Sequence, residues 1–171
     1  MNRSAHRPPA LPRHGFGLIE TVVGAAILTA VLLGLAQVGQ LTLRLVSTAN
    51  LRLRASFLAE EGLEVARLVR DSSWAANIGP KALCSDHYLS FSSGSWQITA
   101  NPAPLVEGIF ERRVRFEAVT RNASSDITGT GCAESGSDPD TRKVTATVSW
   151  INRGQTASVV ISTYLTNFFN N

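Results

Sequence analysis

Chemistry needs ionisable or nucleophilic side chains at a usable spacing, and this 171-residue chain holds few of them. The most unusual is Glu20, the only charge in the mostly apolar run from Phe16 to Leu43. An ionised carboxylate in such surroundings asks for a cationic partner, because a charge taken out of water alone is strongly destabilising. Cys84 and Cys132 are the only cysteines. One disulfide formed in an oxidising compartment is the simple reading, with two free thiols as the alternative. A metal site is not expected, since there is no CxxC pair and His87 is the single histidine beyond residue 15.

The remaining polar groups read more plainly. His87 has no Ser/His/Asp arrangement or spaced carboxylate pair around it in the sequence, so neither an enzyme nor a cofactor is expected. We read it as a surface or strand-edge residue. Asp126, Asp138 and Asp140 share a polar stretch without EF-hand spacing, which reads as a solvated loop rather than a cation site. Asn122-Ala123-Ser124 matches a glycosylation sequon, a coincidence common in short motifs. Arg112, Arg113 and Arg115 could form a small DNA-contacting stripe, but Glu111 and Glu117 beside them favour a solvated face. The charge balance agrees. Three of the 16 basic residues, Arg3, Arg7 and Arg13, lie in the first 15 positions without an acid, and the other 13 match 13 acidic residues. A neutral remainder offers no extended track for phosphates, so nucleic acid is not an expected partner.

The elements that must position these groups fall into four zones. Residues 1–15 are basic and hold Pro8, Pro9 and Pro12, so they are expected to be unstructured. Residues 16–43 form an apolar half-helix of about 28 residues, about 42 Å long, enough to cross a bilayer core of about 30 Å. Residues 44–73 continue the same helix, because no proline or strong turn signal interrupts the chain before about Ser72. In this second half Leu51, Ala55, Leu58, Gly62, Val65 and Val69 follow a 4-3-4-3-4 spacing that places them on one stripe, bordered by Ala59 and Ala66. Ala55, Gly62 and Ala66 are small enough to let that stripe lie close against a flat partner such as a sheet. Glu64 with Arg67, and Arg67 with Asp71, can pair on the outer face.

Residues 74–171 have β texture. Phe110 to Val119 alternates in part, with Val114, Phe116 and Ala118 on one face and Arg113, Arg115 and Glu117 on the other. Lys143 to Trp150 alternates cleanly, and with the turn Asn152-Arg153-Gly154-Gln155 and a strand over Ser158 to Thr166 it predicts an antiparallel hairpin. A weaker strand is expected over Ser95 to Ala100. Asn122 to Thr141 reads as one long loop rich in Gly, Ser and Asp that carries Cys132. The fold class expected is therefore α+β: a long N-terminal helix, apolar then amphipathic, packed on a C-terminal antiparallel sheet.

Three readings compete for the apolar run. A secretory signal peptide should have a core of about 7–15 residues followed by a small-x-small site. Gly34 and Ala36 could supply that site, but the run is longer and Glu20 is out of place in it. A plain single-pass anchor tolerates Glu20 only near the interface, and Arg44, Arg52 and Arg54 beyond the run match the three leader arginines, which leaves its orientation open. In the third reading, a basic leader ends at Gly15, Phe16 follows, Glu20 stands fifth from Phe16, and an apolar stretch of about twenty residues comes next. The segment Gly15-Phe16-Gly17-Leu18-Ile19-Glu20 with these flanks resembles the class III signal of type IV pilin precursors. It is equally similar to the pseudopilins of type II secretion and to competence pilins. Leu58 to Asp71, LAEEGLEVARLVRD, looks like the helix end of many minor-pilin precursors.

The resemblance implies that a prepilin peptidase cuts between Gly15 and Phe16 and methylates the new amine of Phe16, with Glu20 as the assembly residue. It implies other pilin subunits and a pilus assembly platform as partners, and the membrane before assembly. The sheet domain would lie outside the cytoplasmic membrane of a bacterium or an archaeon-like cell, then on a surface pilus or periplasmic pseudopilus. Ala26, Ala30 and Gly34, recurring every fourth residue, offer a small-residue seam for close helix packing. Gln37 stands where many major pilins have proline, so any kink would rely on Gly34 or Gly39. That departure, and cysteines that are not paired near the C-terminus, favour a minor subunit. The alternative is a membrane-tethered extracytoplasmic binding domain that never polymerises.

Overall fold

Without a breaker in the run, the backbone has no reason to leave the helix until its side chains cease to be apolar or periodic. The computed structural model, which describes residues 17–169, carries one helix, α1, over Leu18–Ser72. Its C-terminal end is closed by side chains: the Asn77 amide donates to Val69 O at 3.2 Å and to Ser72 Oγ at 2.9 Å. A single turn, α2 (Trp74–Asn77), follows with Ser73 as its N-cap and plants Trp74 and Ile78 in the core. The described chain divides into two compact units, residues 17–46 and residues 47–169.

In the second unit the helix face that meets the sheet is made of small residues. Ala55, Ala59, Gly62, Leu63, Val65, Ala66 and Val69 are buried, while Leu51 and Leu58 pack at the margin. Leu63 lies off the predicted stripe, so the buried face is centred on Ala59, Gly62 and Ala66, turned slightly from the predicted line toward the alanines that bordered it. Gly62 is where the approach is closest. A methyl group there would meet Ala146 Cβ at 3.4 Å, Arg112 Cδ at 3.6 Å and Leu89 Cδ1 at 3.7 Å. On the outer face Arg67 pairs with Glu64, and Asp71 is held by the adjacent Arg70 at 2.7 Å.

Six antiparallel strands form one sheet: β1 (Asp86–Ser92), β2 (Ser95–Thr99), β3 (Glu111–Arg121), β4 (Ile127–Gly131), β5 (Asp138–Asn152) and β6 (Gln155–Thr166). The order is β2-β1-β3-β5-β6, with β4 also on β3. The fold class is α+β, as expected. Val114, Phe116, Val144, Ala146 and Val148 line the inner face, fully buried with Phe110. Both hairpin turns of two residues carry positive φ at each central position, at Ser93-Gly94 and Arg153-Gly154. This is the turn whose twist matches antiparallel strands, and glycine makes it cheap at the second position.

Two expectations need correction. Residues 122–141 are not one loop, because β4 pairs with β3 from Ala118↔Gly131 to Arg121↔Ile127 and β5 already begins at Asp138. The order here comes from β3. It is longer than β1, which covers only Arg113–Arg115, so the rest of that edge is open to a strand of weak intrinsic propensity. The second correction concerns β1 itself, which had no predicted counterpart and contains His87. The disulfide Cys84–Cys132, with a Cα–Cα distance of 5.4 Å, sits where β1 starts and β4 ends along β3. Cys84 N–H donates to Phe116 O at 2.7 Å between the two pairings. The bridge thus joins two short strands that share one edge.

Candidate anchoring and assembly segment

Gly15 and Phe16, the predicted cleavage and methylation positions, lie outside the described residues. Glu20 is in the first turn of α1, its amide donating to Gly17 O at 2.9 Å and its side chain exposed. A carboxylate there is favoured by the positive end of the helix dipole by about 0.3–1 kcal/mol. Ala26, Ala30 and Gly34 lie along the helix fully open, and no atom comes within 4 Å of a methyl group placed on Gly34. The seam therefore has nothing of its own unit against it.

Every residue from Gly17 to Ser47 is exposed, including Leu18, Ile19, Ile27, Leu28, Leu32, Leu33 and Leu35. Removing one large aliphatic side chain from water is worth about 1.5–3 kcal/mol, so a stripe this long forgoes stabilisation on the order of tens of kcal/mol in water. An isolated helix of this kind is matched to a bilayer or to other apolar helices. Its hydroxyls are already satisfied. Thr21, Thr29 and Thr42 donate to the carbonyls of Leu18, Ala25 and Val38 at 2.8, 2.8 and 3.0 Å. Threonines within an uninterrupted helix, each able to donate back to the carbonyl three or four residues earlier, could have been read from the sequence as compatible with an apolar medium.

The chemistry-bearing residues of the sheet unit do not converge. His87 is buried and so is not a surface residue, but it does stand at a locally open strand edge, pairing with Val114 of β3 while the pairing of β1 with β2 begins only at Tyr88. Alternation in β1 puts it inward with Leu89, where its ring meets the Phe116 ring edge-on at 5.4 Å and Nδ1 donates to Ser85 O at 3.0 Å. Burial pushes its pKa below the ordinary value, against the opposing pull of the Ser85 carbonyl.

Arg112 leaves the expected arginine stripe, since the pleat turns it inward while Arg113 and Arg115 point out. Its guanidinium is buried, donates to Glu61 at 2.7 Å and stacks over the Trp96 ring at 5.6 Å. Arg113 and Arg115 both hold Asp86, at 3.0 and 2.7 Å, and Lys143 holds Glu117 across the strands at 2.8 Å. The Arg115 hydrogen bond leads in lowering the Asp86 pKa, overcoming desolvation, and the Glu117 bond raises that of Lys143. These groups line a shallow trough of about 340 Å³ on the outer face in which each cation already has a carboxylate.

The three aspartates are separately engaged. Asp138 accepts from Arg121 and Thr141 at 2.7 Å each, Asp140 from Asn167 at 2.9 Å, and Asp126 lies by the Asn122 amide. Burial opposes the Asp138 charge, but the bonds from Thr141 and Arg121 outweigh it and hold its carboxyl below the usual range. Among the described residues no group of three His, Cys, Asp or Glu side chains could hold a metal ion. Asn122 closes its own turn by accepting from the Ser124 and Asp126 amides at 2.9 Å each.

Fold and site together define an α+β protein whose N-terminal helix is long and apolar enough to span a membrane and leads into an antiparallel sheet domain. Comparison of the chain with protein-family models, curated proteins and solved structures finds no match.

Proposed function

We propose that this chain is a structural subunit, of the minor kind, of a type IV pilus or related pseudopilus. In this reading a prepilin peptidase processes it after Gly15, and it then assembles through its N-terminal helix. The observation that carries the reading is the pairing of one sequence feature with one structural one. A Gly15-Phe16 junction with Glu20 five positions on leads into a helix whose apolar residues 18–46 have no cover of their own. After cleavage each Phe16 offers a cationic amine and each Glu20 a carboxylate. In an apolar bundle each is destabilising alone and offset by the other, within a chain or between neighbours. The seam Ala26, Ala30 and Gly34 would let such helices approach closely.

Mass spectrometry of the mature N-terminus tests the processing step. An N-methylated Phe16 is expected, whereas an intact Met1 or a start at Gln37 would end the proposal. Glu20→Ala tests assembly. It should leave processing largely intact yet remove the protein from sheared surface filaments, because the amine then loses a partner worth about 3–5 kcal/mol in a buried site. Normal recovery of the variant in filaments would refute the pairing argument, whereas absence of the unaltered protein from filaments would point to a tethered domain that does not polymerise.

A further inference from the structure

One patch of the sheet unit has no part in the roles above. Leu105, Ile109 and Ile151 are 52%, 42% and 74% exposed and line one concavity of about 480 Å³ with Trp150 and Thr156. Ile151 breaks the alternation of β5 beside the Arg153-Gly154 turn, where a polar residue would serve as well in water. The patch is placed by Phe110, whose ring meets Trp150 edge-on at 5.8 Å and lies under the Arg54 guanidinium at 5.5 Å. It therefore sits beside Arg54, seven residues beyond Ser47, the first residue of the unit. Arg54 lies 11 helical residues beyond Leu43, where the uncharged apolar run ends, a rise of about 16 Å, so covalent connection alone keeps the patch within about three turns of that point.

Its electrostatic border is balanced and does not oppose an anionic surface. Of the two carboxylates at its margin, Glu107 is paired with Arg54, and Glu111 lies 3.3 Å from Ser149 Oγ and 3.8 Å from Arg113 Nε. Arg153 stands exposed at the hairpin tip next to Ile151. We infer that Leu105, Ile109 and Ile151 form a second membrane contact, seated in the headgroup layer of the same bilayer that holds residues 18–46. The inference rests on that anchoring. Apolar side chains at this depth, flanked by arginine, are the composition of an interfacial contact. The patch holds the sheet unit down on the membrane before assembly, and it must be withdrawn when the subunit leaves the bilayer.

The test uses the full chain, its disulfide oxidised, in vesicles of phosphatidylcholine and phosphatidylglycerol. Single variants Ile109→Cys, Ile151→Cys, Ser124→Cys and Leu33→Cys carry an environment-sensitive dye, with quenchers placed at headgroup depth, in the acyl core, or in water as iodide. Headgroup quenchers should act several-fold more strongly on positions 109 and 151 than on 124, at the far end of β3. The acyl-core quencher should act on position 33. Quenching at 33 with 109 and 151 behaving like 124 overturns the proposal and leaves the anchor intact. Shielding of 109 and 151 from iodide without lipid quenching means a protein covers the patch, and also overturns it. No quenching at 33 removes the anchor and the proposal with it.

Discussion

Removing Glu61 should damage the sheet unit far more than neutralising its partner Arg112. The two side chains form one ion pair at 2.7 Å, but they are unequal: Arg112 is 7% exposed and Glu61 44%. Glu61→Ala strands a guanidinium between α1 and the sheet with only the Trp96 ring for compensation. Breaking a buried pair from one side costs about 3–5 kcal/mol, and the half-exposed partner reduces that to about 2–4 kcal/mol here. Arg112→Met keeps the stem that packs near Gly62 and leaves a carboxylate that water can solvate, so its cost should stay within about 1 kcal/mol. The double variant should resemble Arg112→Met, giving a coupling of about 2–4 kcal/mol, the whole cost of Glu61→Ala. Denaturant unfolding of the full chain in detergent micelles, followed by tryptophan fluorescence, measures all four proteins. Against a total stability of about 5–15 kcal/mol the difference is easily read. Equal costs for the two single variants, or strict additivity, would refute the reasoning.

Other outcomes follow from the same geometry. Gly62→Ala should be neutral or stabilising by up to about 1 kcal/mol, since its methyl meets Ala146 at an ordinary 3.4 Å, whereas Gly62→Val should overpack and cost about 1–3 kcal/mol. The same unfolding assay separates them, and a tolerated valine would mean the helix does not lie this close. The Cys84→Ser/Cys132→Ser pair should lose about 4 kcal/mol on the chain-entropy argument for a sequence separation of 48, read as a lower denaturation midpoint. The pKa of His87 is depressed from 6.5 in the folded state, so the unfolded chain takes up its proton first on acidification. Its contribution is fully present above that value and declines as pH falls below it. His87→Leu should flatten the stability profile between about pH 7 and 5, and an unchanged slope would show that the ring is not kept neutral.

Much of the fold was legible because it repeats locally. The 4-3-4-3-4 spacing marks the helix face, and Val144, Ala146, Val148 and Trp150 mark the inner face of β5, without reference to any other part of the chain. Strand β1 was harder to see because its inward residues are His87 and Leu89, and a histidine does not announce burial. Yet Ser93-Gly94 between Phe91 and Trp96 is a hairpin signal that the sequence does carry. Strand β4, Ile-Thr-Gly-Thr-Gly, carries almost none, since glycine weakens a strand and only the open edge of β3 supplies its partner. Arg112 was misplaced for a similar reason. Its neighbours in sequence are cations, but the pleat sends it to the opposite face.

By itself, then, the sequence determined the long helix, its change from apolar to amphipathic, the principal hairpin and the position of Glu20. Periodicity, the absence of breakers and turn chemistry are all properties of neighbours along the chain. Tertiary structure alone decided the burial of His87, the inward pairing of Arg112 with Glu61, the ordering of β4 and the clustering of Leu105, Ile109 and Ile151. Each of these depends on residues 29 or more positions apart, or on which strand edge is left unpaired. No local spacing encodes that.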